Sequence, residues 1–363
     1  MTVHVPLSVL DLAPVERRAA PGRGARDTLA ASVELARAAE RHGYRRVWYA
    51  EHHSMPSIAS SAPAVLVAHV AAHTSTIRLG AGGVMLPNHA PLTIAEQFGT
   101  LAAAHPGRID LGLGRAPGSD GATSAALRRD PSAADTFPQD VLELQDLLAG
   151  TPRPDGVQAV PHALDDDDLP VPLYVLGSST FGARLAAQLG LPYAFASHFA
   201  PDALEQAMDV YRRGFTPNGR PGALTAPHAI AAVNVFASDD EATAREHVLA
   251  ARRQRAVGLF GRGRVPAGTE TADDDAFDAV ADALLEAGAG VHVDRMTRLA
   301  AVGTPDDVVA QLDAFAARVG ADELITAHGA PTPSARVRSV ELVGASAASS
   351  VHSVSAATTV SAA

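Results

Sequence analysis

Three consecutive residues with carboxylate or imidazole side chains, Glu51, His52 and His53, directly follow the apolar segment from Val47 to Ala50. Imidazole has an unperturbed pKa of ~6.5, so it changes charge near neutral pH. Two histidines at the end of a predicted strand are therefore candidates for a general acid or base. These residues alone support a plainer interpretation equally well, in which one histidine bonds to backbone and the other lies on the surface.

Strand-like and helix-like segments alternate along the chain. The predicted strands are 5–10, 46–50, 77–82, 109–114, 171–177, 193–197, 228–237 and 323–327, and the predicted helices are 27–42, 63–72, 92–104, 137–148, 180–189, 202–213, 239–257, 305–319 and 334–342. Eight strands that alternate with helices favour a closed (β/α)8 barrel, an α/β fold, over an open doubly wound sheet.

Active sites of such barrels lie at the C-terminal ends of the strands. In this chain few of the residues at those positions are packing residues: Asp11, Glu51 to His53, Gly82-Gly83, Arg115, Ser178-Ser179, Ser197-His198 and His328. The barrel prediction therefore strengthens the assignment of chemistry to the two histidines.

Composition excludes several function classes. The 363 residues are 47% hydrophobic and carry a net charge of −11, which argues against a nucleic-acid partner or an anionic membrane surface. Cysteine is absent and all 29 basic residues are arginine, which excludes disulfides, thiolate metal sites, iron-sulfur clusters and lysine Schiff bases. Neither a signal-peptide pattern nor a membrane-spanning segment is evident, so we expect a cytoplasmic protein.

Two regions differ from the barrel pattern. Residues 258–303 are predicted to form a long insertion between the seventh and eighth strands, either a lid over the site or surface decoration. Residues 345–363 are mostly Ala, Ser, Thr and Val without periodicity, which predicts a disordered tail. The expected barrel domain is therefore 1–344.

Glycines and polar residues at three neighbouring strand ends could hold a phosphate and a flat ring. Gly82 and Gly83 end the third strand, where bare backbone allows a ligand to come close. Arg115 follows the fourth strand, and the sequence Ser178-Ser179-Thr180 opens a helix, where hydroxyls and free N–H groups bind anions. Gly112, Gly114 and Gly118 do not form a dinucleotide fingerprint, because the last spacing is one residue too long and Pro117 lies where the fingerprint helix would begin.

Motifs in order along the chain carry a family resemblance. They are Trp48 to His53, Ser60 to Pro63, Gly82 to Pro91, Ala95 to Phe98, His105 to Gly118 and Leu176 to Ser179. Together, over about Leu7 to Leu342, they resemble the luciferase-like, flavin-dependent monooxygenases. These motifs are specific for the superfamily and much less so for a substrate.

The resemblance implies a cofactor, two co-substrates and roles for individual residues. Relatives receive reduced FMN from a separate NAD(P)H:flavin reductase and react it with O2 to a flavin C4a-hydroperoxide that oxidises a small organic substrate such as an aldehyde. By position, His52 corresponds to the histidine that handles protons near the flavin. Gly82-Gly83 corresponds to a peptide, cis in relatives, that lies against the ring. Arg115 with Ser179 would hold the phosphate.

At two aligned positions this chain departs from the family pattern, and the assignment of a second phosphate arginine stays open. Ser178 stands where bacterial luciferase has an acidic residue, and Gly114 where it has a cysteine, which argues against light emission. A second phosphate arginine is expected nearby, but Arg128 and Arg129 are not distinguished by the sequence. The family's usual assembly is a homodimer.

The sequence leaves alternative functions open. A deazaflavin could replace FMN for hydride transfer on the same fold, or the barrel could bind flavin without catalysis. His69 and His73 have metal-ligand spacing, but Val70 stands where metalloproteases have a glutamate, so we expect no metal site. The acidic run 165–168 lacks calcium-ligand spacing. Four residues could line the site or be structural: Asn88, His89, His198 and His328.

Overall fold

A computed structural model of the chain describes residues 5–17, 24–116, 121–161, 171–261, 265 and 273–360. Within these residues nine parallel strands form one sheet: Leu7–Asp11 (β1), Arg46–Tyr49 (β2), Arg78–Met85 (β3), Ile109–Gly114 (β4), Leu173–Gly177 (β5), Tyr193–Phe195 (β6), Ala229–Ala237 (β7), Ala301–Gly303 (β8) and Glu323–His328 (β9). The sheet closes because β9 pairs with both β1 and β7, and β6 pairs with β7. The predicted eight-stranded barrel is confirmed, and β8 lies outside it, paired with the end of β7.

The α-helices of the described residues follow the predicted pattern with additions. They are Gly24–Arg41 (α1), Pro63–Ala71 (α2), Pro91–Ala104 (α3), Gly121–Ala126 (α4), Phe137–Ala149 (α5), Thr180–Leu189 (α6), Leu204–Gly214 (α7), Glu241–Phe260 (α8), Asp274–Leu284 (α9), Gly290–Thr297 (α10), Pro305–Val319 (α11) and Pro333–Val360 (α12). Proline in the first turn begins α2, α3 and α11, where its missing N–H has no helical partner to lose. None of the described helices combines the length and hydropathy needed to cross a bilayer.

The third strand is longer than predicted. Its glycines were expected to end the strand at Gly82, but β3 continues to Met85. Its pairing with β4 shifts register between Ala81 and Val84, so Gly82 and Gly83 form an irregularity inside the strand. A bulge of this kind re-aims the backbone without ending the strand.

The insertion begins earlier than predicted. Helix α11 packs against β7, β9, α7 and α12, which is the position of the seventh barrel helix. Helix α8, which the sequence predicted in that position, instead packs against α9, α10, β8 and β7. Its helical periodicity does not reveal which surface it covers. The inserted unit therefore includes α8, α9 and α10 rather than starting near residue 258.

The C-terminal segment is helical where the sequence predicted disorder from residue 345. Helix α12 continues from Pro333 to Val360. Alanine has the highest intrinsic helix propensity, and the segment is rich in alanine. Val340 and Val343 are fully buried, and α12 packs against α1 and α11, so its first turns are part of the barrel wall. Residues 361–363 lie outside the described residues.

An ion-paired layer closes the N-terminal end of the barrel. Arg46 donates from Nη1 to Asp110 Oδ2 over 2.7 Å and from Nη2 to Glu323 Oε2 over 3.2 Å, and all three side chains are buried. The Trp48 Nε1 donates to Asp110 Oδ2 over 3.1 Å. A buried ion pair requires hydrogen bonds of this kind to offset the cost of desolvation. Through Trp48, this layer contacts the side chains that fill the barrel interior.

A cavity of about 340 Å³ also opens at this N-terminal end. It is lined by residues that precede the strands, among them Arg45, Pro192 and His228. Because catalytic residues of β/α barrels follow the strands, we assign the site to the opposite end, called here the barrel mouth.

Candidate active site

A buried carboxylate organises the ends of β2 and β3. Glu51 Oε1 accepts hydrogen bonds from His53 Nε2 and His89 Nε2, each over 2.8 Å, and Glu51 Oε2 accepts one from the Met85 N–H over 3.0 Å. Asn88 Nδ2 donates to the same Oε1 over 3.4 Å. Burial opposes ionisation of Glu51, but the bonds from His89 and His53 outweigh it and lower the pKa of this carboxyl group.

The two histidines of the opening motif therefore differ. His53 and His89 both bond to Glu51, so the three side chains fix one another's orientation. The ligand atoms of these three residues lie within 4.8 Å of one another, a spacing that a metal ion could also use. Because Glu51 is satisfied by its present donors, we assign the cluster a positioning role in the loop after β3.

Unlike His53, His52 makes no side-chain hydrogen bond to the residues that the structure describes. Its backbone N–H bonds to the Ser60 carbonyl over 3.0 Å, while its imidazole makes no hydrogen bond there. By strand alternation it shares the interior face with Trp48 and Ala50, which pack together inside the barrel. Burial lowers the pKa of His52, so a neutral ring that can accept or donate a proton is present near neutral pH.

Bare backbone lines the mouth beside Trp48. The peptide between Gly82 and Gly83 is cis, as the family resemblance implies. A Cβ added at Gly82 would lie 2.8 Å from the Trp48 Cβ, and one at Gly83 would lie 2.6 Å from the Gly112 carbonyl oxygen. Both contacts are shorter than a real Cβ tolerates, so only glycine fits at these two positions.

A cation and unused polar groups meet at the ends of β4 and β5. The guanidinium carbon of Arg115 lies 4.1 Å from the centre of the Phe181 ring, in the first turn of α6. Ser179 is the N-cap residue of α6, yet its hydroxyl makes no capping bond. Ser178 and Ser179 are exposed and Thr180 is partly buried. Arg115, three hydroxyls and free helical N–H groups are thus available to an anion.

The phosphate and ring candidates lie on adjacent strands. Strand β3 pairs with β4, and β4 pairs with β5. Gly82-Gly83, Arg115 and the Ser178 to Thr180 segment therefore occupy three consecutive positions around the mouth. The structure brings together the residues that the sequence singled out separately.

Arg128 and Arg129 differ in what they can do. Arg129 donates from Nε to the Pro87 carbonyl over 2.6 Å and from Nη2 to the His89 carbonyl over 2.8 Å. It therefore holds the loop that carries His89. Arg128 is exposed with a φ of 54°, and no described contact directs it to the Arg115 site.

Several other candidates have structural roles. Asp11 accepts from the Ala13 N–H and from the Ser32 hydroxyl, over 2.8 and 2.6 Å. His328 bonds to Ser339 of α12 over 2.7 Å, so it faces the helical layer and not the mouth. His73 Nδ1 bonds to the His69 carbonyl over 2.8 Å, and among the described residues no third metal ligand joins these two rings. The acidic run 165–168 lies outside the described residues, as do residues 117–120.

The sequence did not predict a polar group at the end of β7. Asn234 Oδ1 accepts from Arg255 Nη2 over 2.9 Å, and Asn234 Nδ2 donates to the His198 carbonyl over 2.6 Å. Burial, the nearby charge of Arg255 and His52 lower the pKa of His198 to about 3. Arg255 comes from the inserted helix α8, so no local spacing could have linked it to the mouth.

Comparison with known proteins identifies the family of this chain. The family model for luciferase-like monooxygenases matches residues 9–323, and the chain belongs to this family. A luciferase-like monooxygenase of Escherichia coli (strain K12) is 53% identical over 237 residues, which are 65% of this chain and 67% of that protein. The N-acetyl-S-alkylcysteine monooxygenase of Bacillus subtilis (strain 168) is 36% identical over 261 residues, 70% of this chain and 75% of that protein.

Solved structures share the whole fold. The crystal structure of apo-MsnO8 has a TM-score of 0.78 and 33% identity, and covers 95% of this chain and 98% of its own. The oxygenating constituent of 3,6-diketocamphane monooxygenase, in complex with FMN, has a TM-score of 0.64 at 19% identity, covering 94% and 97%. An F420-dependent secondary alcohol dehydrogenase also has a TM-score of 0.64, at 16% identity and 95% and 99% coverage. At these low identities the last two indicate the fold alone.

Proposed function

We propose that the protein is an FMN-dependent monooxygenase that uses reduced FMN and O2 to oxidise a small organic substrate. One observation carries the proposal. Arg115 after β4 and Ser179 after β5 can bind an anion, and the adjacent strand β3 has a glycine peptide that leaves room for a flat ring. FMN combines a phosphate with a flat ring, so the donors and the bare backbone fit it.

Each part of the site has a distinct task toward FMN. The Arg115 guanidinium, with the Ser178, Ser179 and Thr180 hydroxyls and the α6 N-terminus, would hold the phosphate. Gly82 and Gly83 would let the ring approach the backbone beside Trp48. Reduced FMN, when bound, supplies the electrons that activate O2. The remaining steps are proton transfers and substrate positioning by the protein.

His52 is the residue proposed to move protons. Its neutral imidazole is held at the mouth by its backbone bond to Ser60 and by burial against the barrel interior. A group with a pKa below neutrality accepts a proton only transiently, which suits a relay between a reacting atom and water. Glu51 positions the adjacent loop and has no role in this transfer.

Partners and substrates of this reaction are part of the proposal. A separate NAD(P)H:flavin reductase would supply reduced FMN. Aldehydes are one candidate substrate class, and thioethers are a second, because a relative is named for N-acetyl-S-alkylcysteines. A cytoplasmic homodimer remains the prediction from the sequence.

Cofactor titration tests the proposal. Purified protein is titrated with FMN, reduced FMN, riboflavin and the deazaflavin F420, and binding is followed by flavin fluorescence under anaerobic conditions. We expect reduced FMN to bind more tightly than oxidised FMN, and FMN more tightly than riboflavin. Preference for F420, with no tightening of FMN on reduction, would favour hydride transfer and contradict the monooxygenase proposal. Binding of FMN without any substrate oxidation would favour the non-catalytic alternative.

A further inference from the structure

The wall of the mouth formed by β6 and β7 contains polar atoms without partners. Asn234 is fully used, because its Oδ1 accepts from Arg255 and its Nδ2 donates to the His198 carbonyl. The second terminal nitrogen of Arg255, Nη1, is buried and has no hydrogen-bond partner among the described residues. The Nδ1 of His198 is likewise buried and unpartnered. Both residues with an unpartnered nitrogen are bonded to the same residue, Asn234.

Arg255 is unusual among the arginines of its helix. Arg252 bonds to Asp294 over 2.6 and 2.9 Å, and Arg253 bonds to Asp282 over 2.8 and 2.6 Å. Within the described part of the chain Arg255 has no carboxylate partner, and burial alone lowers its pKa. Arg255 as a whole is partly exposed, but its Nη1 atom is buried. A cation partly shielded from water without an anion is costly, so its retention needs a reason that folding does not supply.

The position of this cation relates it to the proposed chemistry. Asn234 shares the interior face of β7 with Ile230 and Ala232, which pack inside the barrel. His198 follows β6, which is across the barrel from β2 and His52 in the strand order. Burial first, then Arg255 and His52, lower the pKa of His198, as expected for a ring that faces the same mouth as His52. An anion bonded to Arg255 would lie on the opposite wall from the proposed proton-transfer residue.

We propose that Arg255 and His198 form a subsite for the carboxylate of the substrate. A guanidinium presents paired donors that match the two oxygens of a carboxylate, and Asn234 fixes its orientation through Nη2. The neutral His198 ring supplies one further donor when Nδ1 carries the proton. This inference rests on the proposed function and narrows its substrates to small organic acids.

The anion could instead be the phosphate of the cofactor. The proposed phosphate site is formed by Arg115 and the α6 N-terminus, which follow β4 and β5. Arg255 belongs to α8 and bonds to Asn234 of β7. The anion at Arg255 is therefore assigned to the substrate carboxylate, and the experiment distinguishes it from the cofactor phosphate.

Calorimetric titration of the FMN-loaded protein provides the test. The probes are N-acetyl-S-methylcysteine and its carboxamide, which differ only in the charged group. A hydrogen-bonded charge of this kind corresponds to roughly a 10- to 100-fold preference for the acid. We expect Arg255→Gln to abolish the preference, while Arg252→Gln, which removes an ion-paired arginine of the same helix, preserves it.

Each other outcome contradicts the inference. If acid and carboxamide bind alike, or if the acid does not bind, there is no carboxylate subsite. Arg255→Gln that weakens FMN and leaves the acid preference intact would assign the cation to the cofactor. Failure of FMN to bind the parent protein would instead refute the proposed function itself, so the two failures are distinguishable.

A ligand-free measurement guards against simple misfolding of the variant. Because the Arg255 charge has no acid partner, Arg255→Gln, which removes the charge and keeps a side-chain amide donor for Asn234, should unfold at the same temperature as the parent protein or higher. A clearly lower unfolding temperature would mean that Arg255 stabilises the fold and is not held for a ligand.

Discussion

Removal of the Arg115 charge should separate FMN from riboflavin. Arg115→Met keeps a long apolar stem against Phe181, whose ring centre now lies 4.1 Å from the guanidinium carbon, and removes only the cation. Since riboflavin lacks the phosphate, its affinity should change little.

The expected magnitude follows from the exposure of the site. A hydrogen bond to a charged group contributes roughly 1.5–3 kcal/mol. Arg115 is exposed, so solvent and salt screen it and the lower end applies. About 1.5 kcal/mol corresponds to roughly a tenfold weaker FMN complex. The effect should shrink at higher ionic strength, because the interaction is between exposed charges.

Fluorescence titration at two salt concentrations measures this effect. Arg213→Met is the matched control, because Arg213 is an exposed arginine paired with Asp209 at the end of α7. The control should bind both flavins as the parent protein does. Equal weakening of FMN and riboflavin by Arg115→Met would refute the phosphate assignment, since it would indicate contact with the ring or damage to the mouth.

Three further perturbations test other parts of the account. Glu51→Gln should lower the free energy of unfolding by about 3 kcal/mol, because the NH2 group of Gln replaces the oxygen that accepts from the Met85 N–H. Two hydrogen-bond donors would then face each other. Because folding lowers the pKa of Glu51 from 4.5, its stabilisation is complete above that pH and is lost as pH falls through the folded pKa. Other carboxyl groups with lowered pKa, such as Glu323, contribute in both proteins, so urea unfolding should show a smaller loss of stability with falling pH in Glu51→Gln than in the parent protein. Gly82→Ala should cost roughly 1–3 kcal/mol and weaken flavin binding, because its Cβ meets Trp48 at 2.8 Å, whereas Gly121→Ala, with open space around it, should not; identical melting curves would refute the close-approach argument. His52→Ala should slow reductase-coupled substrate oxidation about 100-fold or more at unchanged FMN affinity, and a full rate would remove its assigned role.

The barrel strands were predictable because parallel strands buried on both faces are continuous apolar runs. β4 and α6 were predicted to the residue, at Ile109–Gly114 and Thr180–Leu189. β8 was missed, because it has three residues and exists only through pairing with the end of β7. Local sequence contains no signal for such a strand.

The sequence indicates candidate site residues where a short stretch of one strand or strand end carries its own chemistry. Gly82-Gly83 and Ser178-Ser179 are informative as short motifs, and the structure places them on neighbouring strands with Arg115. The partner of Glu51 could be predicted only in part: His53 is two residues away, but His89 reaches Glu51 from the loop after β3. Arg255 was not predictable, because its meeting with Asn234 depends on the path of the inserted helix over the barrel.

Incorporation of isotopically labelled O2 tests the central proposal most directly. The protein, FMN, NAD(P)H and a flavin reductase are incubated with N-acetyl-S-methylcysteine and, separately, with an aliphatic aldehyde, and the products are analysed by mass spectrometry. We expect one labelled oxygen atom in the product of at least one substrate. Formation of this product should require the protein, FMN and the reductase. Products without labelled oxygen, or oxidation that proceeds equally well without O2, would contradict it.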